Sequence, residues 1–334
     1  MPLAAAARQA PVGTNYLRHT NVEEKHEKYK RLLARCKGLP PARTAVAHPC
    51  DESSLKGAVE AAQLGLLVPI LVGPQARIEA VAKQCDLDIR RFEKVDAPHS
   101  IASAEAAVRL ASEGKAEMLM KGSLHTDELM GAVVKKDAGL RTARRISHCF
   151  LMDVPALDRV VIITDAAINI FPSLEEKVDI VQNAIDLALA LGMQQPKVAI
   201  LSAMETVNPK VQSTVEAAAL CKMADRGQIQ GGLLDGPLAL DNAIDLTAVQ
   251  IKHIDSPVAG KADILVVPDL EAGNVLAKSL TFMAHADAAG IVLGARVPII
   301  LTSRADSVMT RLASCAIAFL VVNARRQSAS KAVA

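Results

Sequence analysis

Short apolar runs recur along this chain, each stopped by Gly, Pro, Asp or Ser and followed by a segment with helical periodicity. "TAVAH" (44–48), "VPILVG" (68–73), "EMLMKG" (117–122) and "RVVIITD" (159–165) read as strands, as do "KVAILS", "DILVVP", "AGIVLG" and "VPIILT" further on. Between them "ESSLKGAVEAAQLG", "QARIEAVAKQC" and "DELMGAVVKK" read as helices, the last capped by Thr126, and Ser103 is expected to open a helix over "AEAAVRLASEG". The clearest helix is "PSLEEKVDIVQNAIDLALALG": Pro172 precedes it, Ser173 and Glu176 form a capping box, and Gly192 ends it. Near the start, Asn21 and Glu24 make a second capping box, after which Val22, His26, Tyr29, Leu33 and Cys36 share one helical face. Strands alternating with helices predict βαβ units, a mainly parallel sheet and an α/β fold. No repeat or low-complexity linker marks a domain boundary; the N-terminal arm and "RRQSASKAVA" read as tails.

Composition agrees with that pattern. Half of the 334 residues are hydrophobic, yet tryptophan is absent and aromatics make up only 2%, so the core is built from Ala, Val, Leu and Ile. The formal net charge of +2 is spread without a basic block, which argues against nucleic acid as the main partner. Cys36, Cys50, Cys85, Cys149, Cys221 and Cys315 are scattered, with no C-x-x-C, and read as reduced core residues of a cytoplasmic protein. No uninterrupted apolar stretch spans a bilayer, so no membrane partner is expected. The first twenty residues lack the apolar segment of a secretory signal; free of acids and carrying Arg8 and Arg18, they faintly resemble a transit peptide, and a disordered arm is the preferred reading.

Several chemistries are excluded by motif. G-x-G-x-x-G, the P-loop, H-E-x-x-H and G-x-S-x-G are all missing, and the eight histidines are isolated, so no metal site is expected. In an open parallel sheet ligands bind beyond the carboxyl ends of the strands. Five polar clusters sit there: "MKGSLHTDE" (120–128), "GLRTARRISH" (139–148), "LLDGPLALD" (233–241), "VVPDLEAGN" (266–274) and "LTSRADS" (301–307). Each alone has an ordinary explanation. Ser123 caps a helix, Asp235-Gly236-Pro237 and Asp269 make turns, and the arginines form a solvated face. Together they suggest a site. Arg304 near a helix start offers a fork and free backbone N–H groups to a phosphate, Ser303 and Ser307 can donate or accept hydrogen bonds, and Asp306 can orient the arginine or accept a proton. With no cofactor motif, group transfer by positioning and electrostatics is the natural class: an α/β enzyme handling a small anionic substrate.

"LMKGSLHTDEL", "GLRTARRISH", "ILVVPDLEAGN" and "VPIILTSRADS", in that order, resemble the phosphate acetyl/butyryltransferases, and the similarity runs from about Val22 to Ala318. The branch containing phosphate butyryltransferase is the nearest in appearance. The resemblance implies the reaction acyl-CoA + phosphate ⇌ acyl phosphate + CoA, with CoA as substrate, no permanently bound cofactor, and direct transfer without an acyl-enzyme. It also implies a homodimer and two α/β domains with mainly parallel sheets flanked by helices, like isocitrate and isopropylmalate dehydrogenase, with the active site in the interdomain cleft. The first domain is then 1–148 plus 292–334 and the second 149–291. Of the matching residues, Arg304 binds phosphate and stabilises the oxyanion, Ser303 donates a hydrogen bond, and Asp306 stands as the local base. Lys121, Ser123 and Arg141 bind substrate, and Asp269 and Asn274 line the cleft.

Two departures qualify this. Acetyltransferases place their aspartate a few residues past the Ser-Arg pair, where this chain has Met309 and Thr310. Many relatives also carry an arginine where this chain has Met130, followed by Gly131. These departures keep a second reading open, a CoA- or acyl-phosphate-binding subunit without turnover. A third is a decarboxylating NAD-dependent dehydrogenase of the same fold, for which the sequence offers neither metal carboxylates nor a dinucleotide motif.

Overall fold

The computed structural model describes residues 27–302 and 307–333. All the described strands join one sheet of eleven, in the order β3-β2-β1-β4-β11-β10-β5-β6-β9-β7-β8. The first half contains β1 (Ala42–Ala47), β2 (Leu67–Gly73), β3 (Glu93–Asp96), β4 (Met118–Lys121) and the returning β11 (Ile299–Ile300), all parallel. The second half contains β6 (Val161–Thr164), β7 (Lys197–Leu201), β8 (Leu233–Leu238) and β9 (Ile264–Val266), again parallel to one another. Two strands, β5 (Ser147–Asp153) and β10 (Asp287–Leu293), run antiparallel to each other and join the halves. The result is mixed α/β with a mostly parallel sheet. Counting the reversals through β10 and β5, the strands of the two halves point in opposite directions.

The helices cover both faces because each carries one apolar stripe. On one face lie α1 (Glu27–Cys36), α2 (Glu52–Gln63), α3 (Gln75–Gln84), α6 (Leu174–Ala190), α7 (Gln212–Asp225) and α11 (Val308–Val333), sharing one continuous apolar cluster. On the other face the packing is divided. α4 (Ser100–Ser112) and α5 (Thr126–Val134) cover the first half, while α8 (Leu240–Ile244), α9 (Leu246–Ile251) and α10 (Leu270–Met283) cover the second. α11 has the length and hydropathy of a membrane span, but 67% of its apolar window is buried inside the protein. It is a core helix.

Most expected elements are present, and α6 carries its capping box: Ser173 Oγ accepts from Glu176 N at 3.2 Å and Glu176 returns a carboxylate to Ser173 N at 2.9 Å. Four expectations are corrected. "LLDGPL" is not a turn but the edge strand β8, with a cis Gly236–Pro237 bond. α4 starts at Ser100 under a His99 cap, so Ser103 lies inside the helix, buried. α5 is capped at His125, one residue before Thr126. "RRQSASKAV" (325–333) is not a tail but the end of α11, where Arg326 pairs with Glu117 at 2.6 Å. The capping box of Asn21 and Glu24, with Val22 and His26, lies outside the described residues, whereas Tyr29, Leu33 and Cys36 do pack on the core.

Candidate active site

The loop after β4 and the end of β11 are 181 residues apart in sequence, and the β4–β11 pairing brings them together. Lys121, the last residue of β4, is buried, and its ammonium reaches the carbonyl oxygen of Thr302 at 3.4 Å. Burying a lysine is costly unless its charge is partnered, so this is a built contact rather than a solvated side chain. Thr302 is held from the other side: Arg311 on α11 donates to its hydroxyl at 2.7 Å and to Ser53 Oγ at 3.3 Å. Arg311 is only 1% exposed. The chain then enters residues 303–306, so Ser303, Arg304 and Asp306 lie outside the described residues, between the fixed Thr302 and the start of α11.

The neighbouring strand end is locked to the same loop. Gly122 N and Ser123 N donate to the carbonyls of Ala47 and His48, both at 2.9 Å, and Ser123 Oγ donates to His48 O at 2.8 Å while accepting from Cys50 N. Gly122 is required here: a Cβ would lie 2.5 Å from the His48 carbonyl oxygen. Around this junction is a polar cavity of about 380 Å³ lined by His48, Asp51, Arg77, Ser100, Ser123 and Glu128, among others. The carboxylate of Glu128 takes hydrogen bonds from Ser100 Oγ at 2.5 Å and His125 N at 2.6 Å, and the Ser100 bond foremost holds it below the usual carboxylate range.

Other candidates are placed elsewhere. Asp269 caps α10 through Ala272 N at 2.8 Å, and Asn274 donates to Ala166 O at 3.3 Å. Asn274 and its neighbour Gly273 lie against the Asp165–Ala166 turn, so the start of α10 that Asp269 caps sits at the ends of the oppositely directed strands of the second half. Arg141 is exposed and its backbone bridges Ala295, beyond the far end of β10. By register Thr302 lies near the level of Ala289, so about 20 Å of strand separates the two levels. The structure brings Lys121, Ser123 and Thr302 together and does not bring Arg141 to them.

Sequence reasoning passed over four residues. His48 follows β1 directly with φ 56, a conformation uncommon outside glycine, and is 7% exposed. Arg311 is the one charged residue in the apolar stretch "MTRLASCAIAFLVV" that opens α11, a signal present in the sequence. Asp165 is buried and accepts from three backbone N–H groups and Asn169 Nδ2. His148, on the divided face of β5, is 1% exposed, its Nδ1 has no hydrogen-bond partner among the described residues, and burial pushes its pKa down to about 4. A Cβ on Gly290 would meet both His148 Nε2 at 2.9 Å and the Leu301 carbonyl oxygen at 2.6 Å, so glycine is needed where β10 passes between β5 and the end of β11.

A strand-end junction with a buried lysine beside it, serine hydroxyls and helix starts has the chemistry that suits an anionic ligand. The family described as phosphate acetyl/butaryl transferase matches residues 100–319, and the chain belongs to it. It is 66% identical to the phosphate acetyltransferase of Rhizobium meliloti, over 92% of this chain and 97% of that protein. It is 43% identical to the phosphate butyryltransferase of Clostridium beijerinckii, over 88% and 97%. That order reverses the expected leaning toward the butyryl branch. Among solved structures, a branched-chain phosphotransacylase from Enterococcus faecalis V583 superposes with a TM-score of 0.73 at 33% identity, covering 84% of this chain and 99% of that one. The protein is an acyltransferase of this family, and the dehydrogenase and binding-subunit readings give way to it.

Proposed function

We propose that this enzyme moves an acetyl group between CoA and phosphate, acetyl-CoA + phosphate ⇌ acetyl phosphate + CoA, at the junction of the β4 and β11 ends. The observation that carries the site is the meeting of Lys121 with Thr302, which joins two distant motifs at the mouth of residues 303–306. The preference for acetyl is supported by the 66% identity to an acetyltransferase against 43% to a butyryltransferase.

In this reading a CoA thiol with an ordinary pKa of about 8.5 costs about 2 kcal/mol to ionise at neutral pH, and a base that takes the proton during attack removes that cost. Asp306 is that base. Arg304 binds phosphate and offsets the charge on the tetrahedral oxyanion, with Ser303 donating a hydrogen bond. Lys121 and Ser123 hold the anionic part of the substrate, while Asp269 and Asn274 line the opposite wall. Arg141, placed away from the others, would contact only a remote part of CoA.

Two domains, 1–148 with 292–334 and 149–291, are part of the proposal. The cuts fall on β5 and β10, where His148 and Val292 are register partners. A cytoplasmic homodimer completes it. Val275 and Phe282, seven residues apart on α10, are 64% and 78% exposed, and Phe171, beside the start of that helix, is 74% exposed. A patch of that kind is the usual mark of a subunit interface.

The test follows CoA release from acetyl-, propionyl- and butyryl-CoA with phosphate, using a thiol reagent. Phosphate-dependent release, fastest with acetyl-CoA and abolished in Arg304→Ala with the fold retained, is expected. Release that survives Arg304→Ala would overturn the site assignment.

A further inference from the structure

The cavity at the end of β1 contains a histidine that the acyl-transfer reading leaves without a task. His48 Nδ1 lies 3.0 Å from Ser103 Oγ. The serine has one hydroxyl hydrogen and gives it to the carbonyl of His99 at 2.8 Å. Nδ1 must therefore donate, and Nε2 carries the lone pair. Burial first, then the nearby Arg77, lowers the His48 pKa, so the ring is neutral at pH 7. Its remaining nitrogen is an acceptor at the cavity wall.

The rest of the lining narrows the ligand. The two carboxylates are already engaged at helix starts: Asp51 Oδ1 accepts from Ser54 N at 2.8 Å and Ser53 Oγ at 3.3 Å, and Glu128 accepts from Ser100 and His125. Arg77 is exposed at the mouth and makes no ion pair among the described residues. A fitting ligand supplies negative charge to Arg77 and a hydrogen to His48 Nε2. An anion without a proton would meet two carboxylates and a lone pair and satisfy only the arginine. Hydrogen phosphate satisfies both demands; sulfate, fully ionised at neutral pH, does not.

We infer that this cavity is a phosphate subsite, in which His48 Nε2 accepts the P–OH hydrogen and the Arg77 guanidinium faces the ionised oxygens. The inference rests on the acyl-transfer reading and assigns to its phosphate a place beyond Arg304. Ser123 is shared by the cavity and the β4 loop, and β4 lies one strand spacing of about 5 Å from β1 and another from β11. A phosphate seated over Ser123 thus lies between His48 and the strand end at Thr302. The same chemistry would receive free phosphate or a phosphate monoester on a larger substrate.

Steady-state kinetics of His48→Ala and Arg77→Ala with acetyl-CoA and phosphate decide it. Losing a hydrogen bond to a charged group corresponds to a rise of about tenfold or more in the KM for phosphate. The KM for acetyl-CoA should stay within about twofold of wild type on the same scale. Sulfate should inhibit the wild type weakly and His48→Ala more nearly on a par with phosphate, a change of selectivity that a merely structural histidine would not produce. If instead the KM for acetyl-CoA rises in both variants and that for phosphate does not, the group held is a phosphate monoester of the larger substrate. Unchanged constants for both substrates with unchanged sulfate selectivity would overturn the subsite, while loss of turnover in Arg304→Ala would leave acyl transfer standing. Should the wild type turn over no acyl-CoA, calorimetric titration of phosphate and sulfate into wild type and Arg77→Ala still decides the subsite. Arg77 is exposed, so its variant serves even where His48→Ala does not fold.

Discussion

The guanidinium of Arg311 and the hydroxyl of Thr302 are joined by a 2.7 Å hydrogen bond across the start of α11. This bond fixes the strand end from which the candidate catalytic segment leaves, and it does so from inside the core. Arg311→Met keeps the volume and removes the charge-assisted donor. The expected result is a loss of about 2–4 kcal/mol in urea unfolding and a fall in turnover larger than any change in KM. A variant as stable and as active as wild type would show that Thr302 is held otherwise.

Gly122 lies against the carbonyls that end β1, where a Cβ would come within 3 Å of three backbone atoms. Backbone cannot move aside as a side-chain tip can. Gly122→Ala should therefore push β4 and β1 apart, costing about 1–3 kcal/mol and at least tenfold in kcat/KM. Gly131→Ala is the matched control, because nothing lies within 4 Å of its added carbon. Equal behaviour of the two variants would argue against the close approach.

His148 gives the protein a pH-dependent stability. Its pKa is pushed by burial from 6.5 to about 4, so the unfolded chain binds the proton more readily. The stabilisation is complete above pH 6.5 and is lost as pH falls toward 4. Between pH 7 and pH 5 this amounts to about 2 kcal/mol. Chemical denaturation at both pH values should show that loss in wild type and a smaller one in His148→Gln. An identical loss in the variant would assign the effect to other groups.

The exposed side chains of Val275, Phe282 and Phe171 lead to a prediction about assembly. Wild type should sediment as a dimer, and Phe282→Asp should shift it toward monomer without changing its circular dichroism. A dimer that persists at micromolar concentration in that variant would move the interface elsewhere.

Much of this was legible in the sequence. The β-branched runs ended by Gly, Pro or Asp gave the parallel strands, and Ser173 with Glu176 marked the start of α6, because those signals act over neighbouring residues. Four ordered motifs were enough for the family. Local rules failed where partners are distant. Glu93–Asp96 is too polar to read as a strand, yet it pairs as an edge; Ser147 and His148 interrupt the apolar run of β5, yet both are buried between neighbouring strands. "LLDGPL" has turn chemistry, and the pairing of β8 with β7 overrides it.

The sequence by itself determined the strand–helix alternation, the acyltransferase family and the motif residues, since each depends on residue type and short spacing. Only the tertiary structure decided that Lys121 meets Thr302, that Arg311 stands behind it, that Arg141 lies away from both, and that the single hydroxyl hydrogen of Ser103 leaves His48 with a free acceptor. These depend on which strand ends become neighbours. That order is set by the burial of whole apolar faces, a property no local stretch of the chain contains.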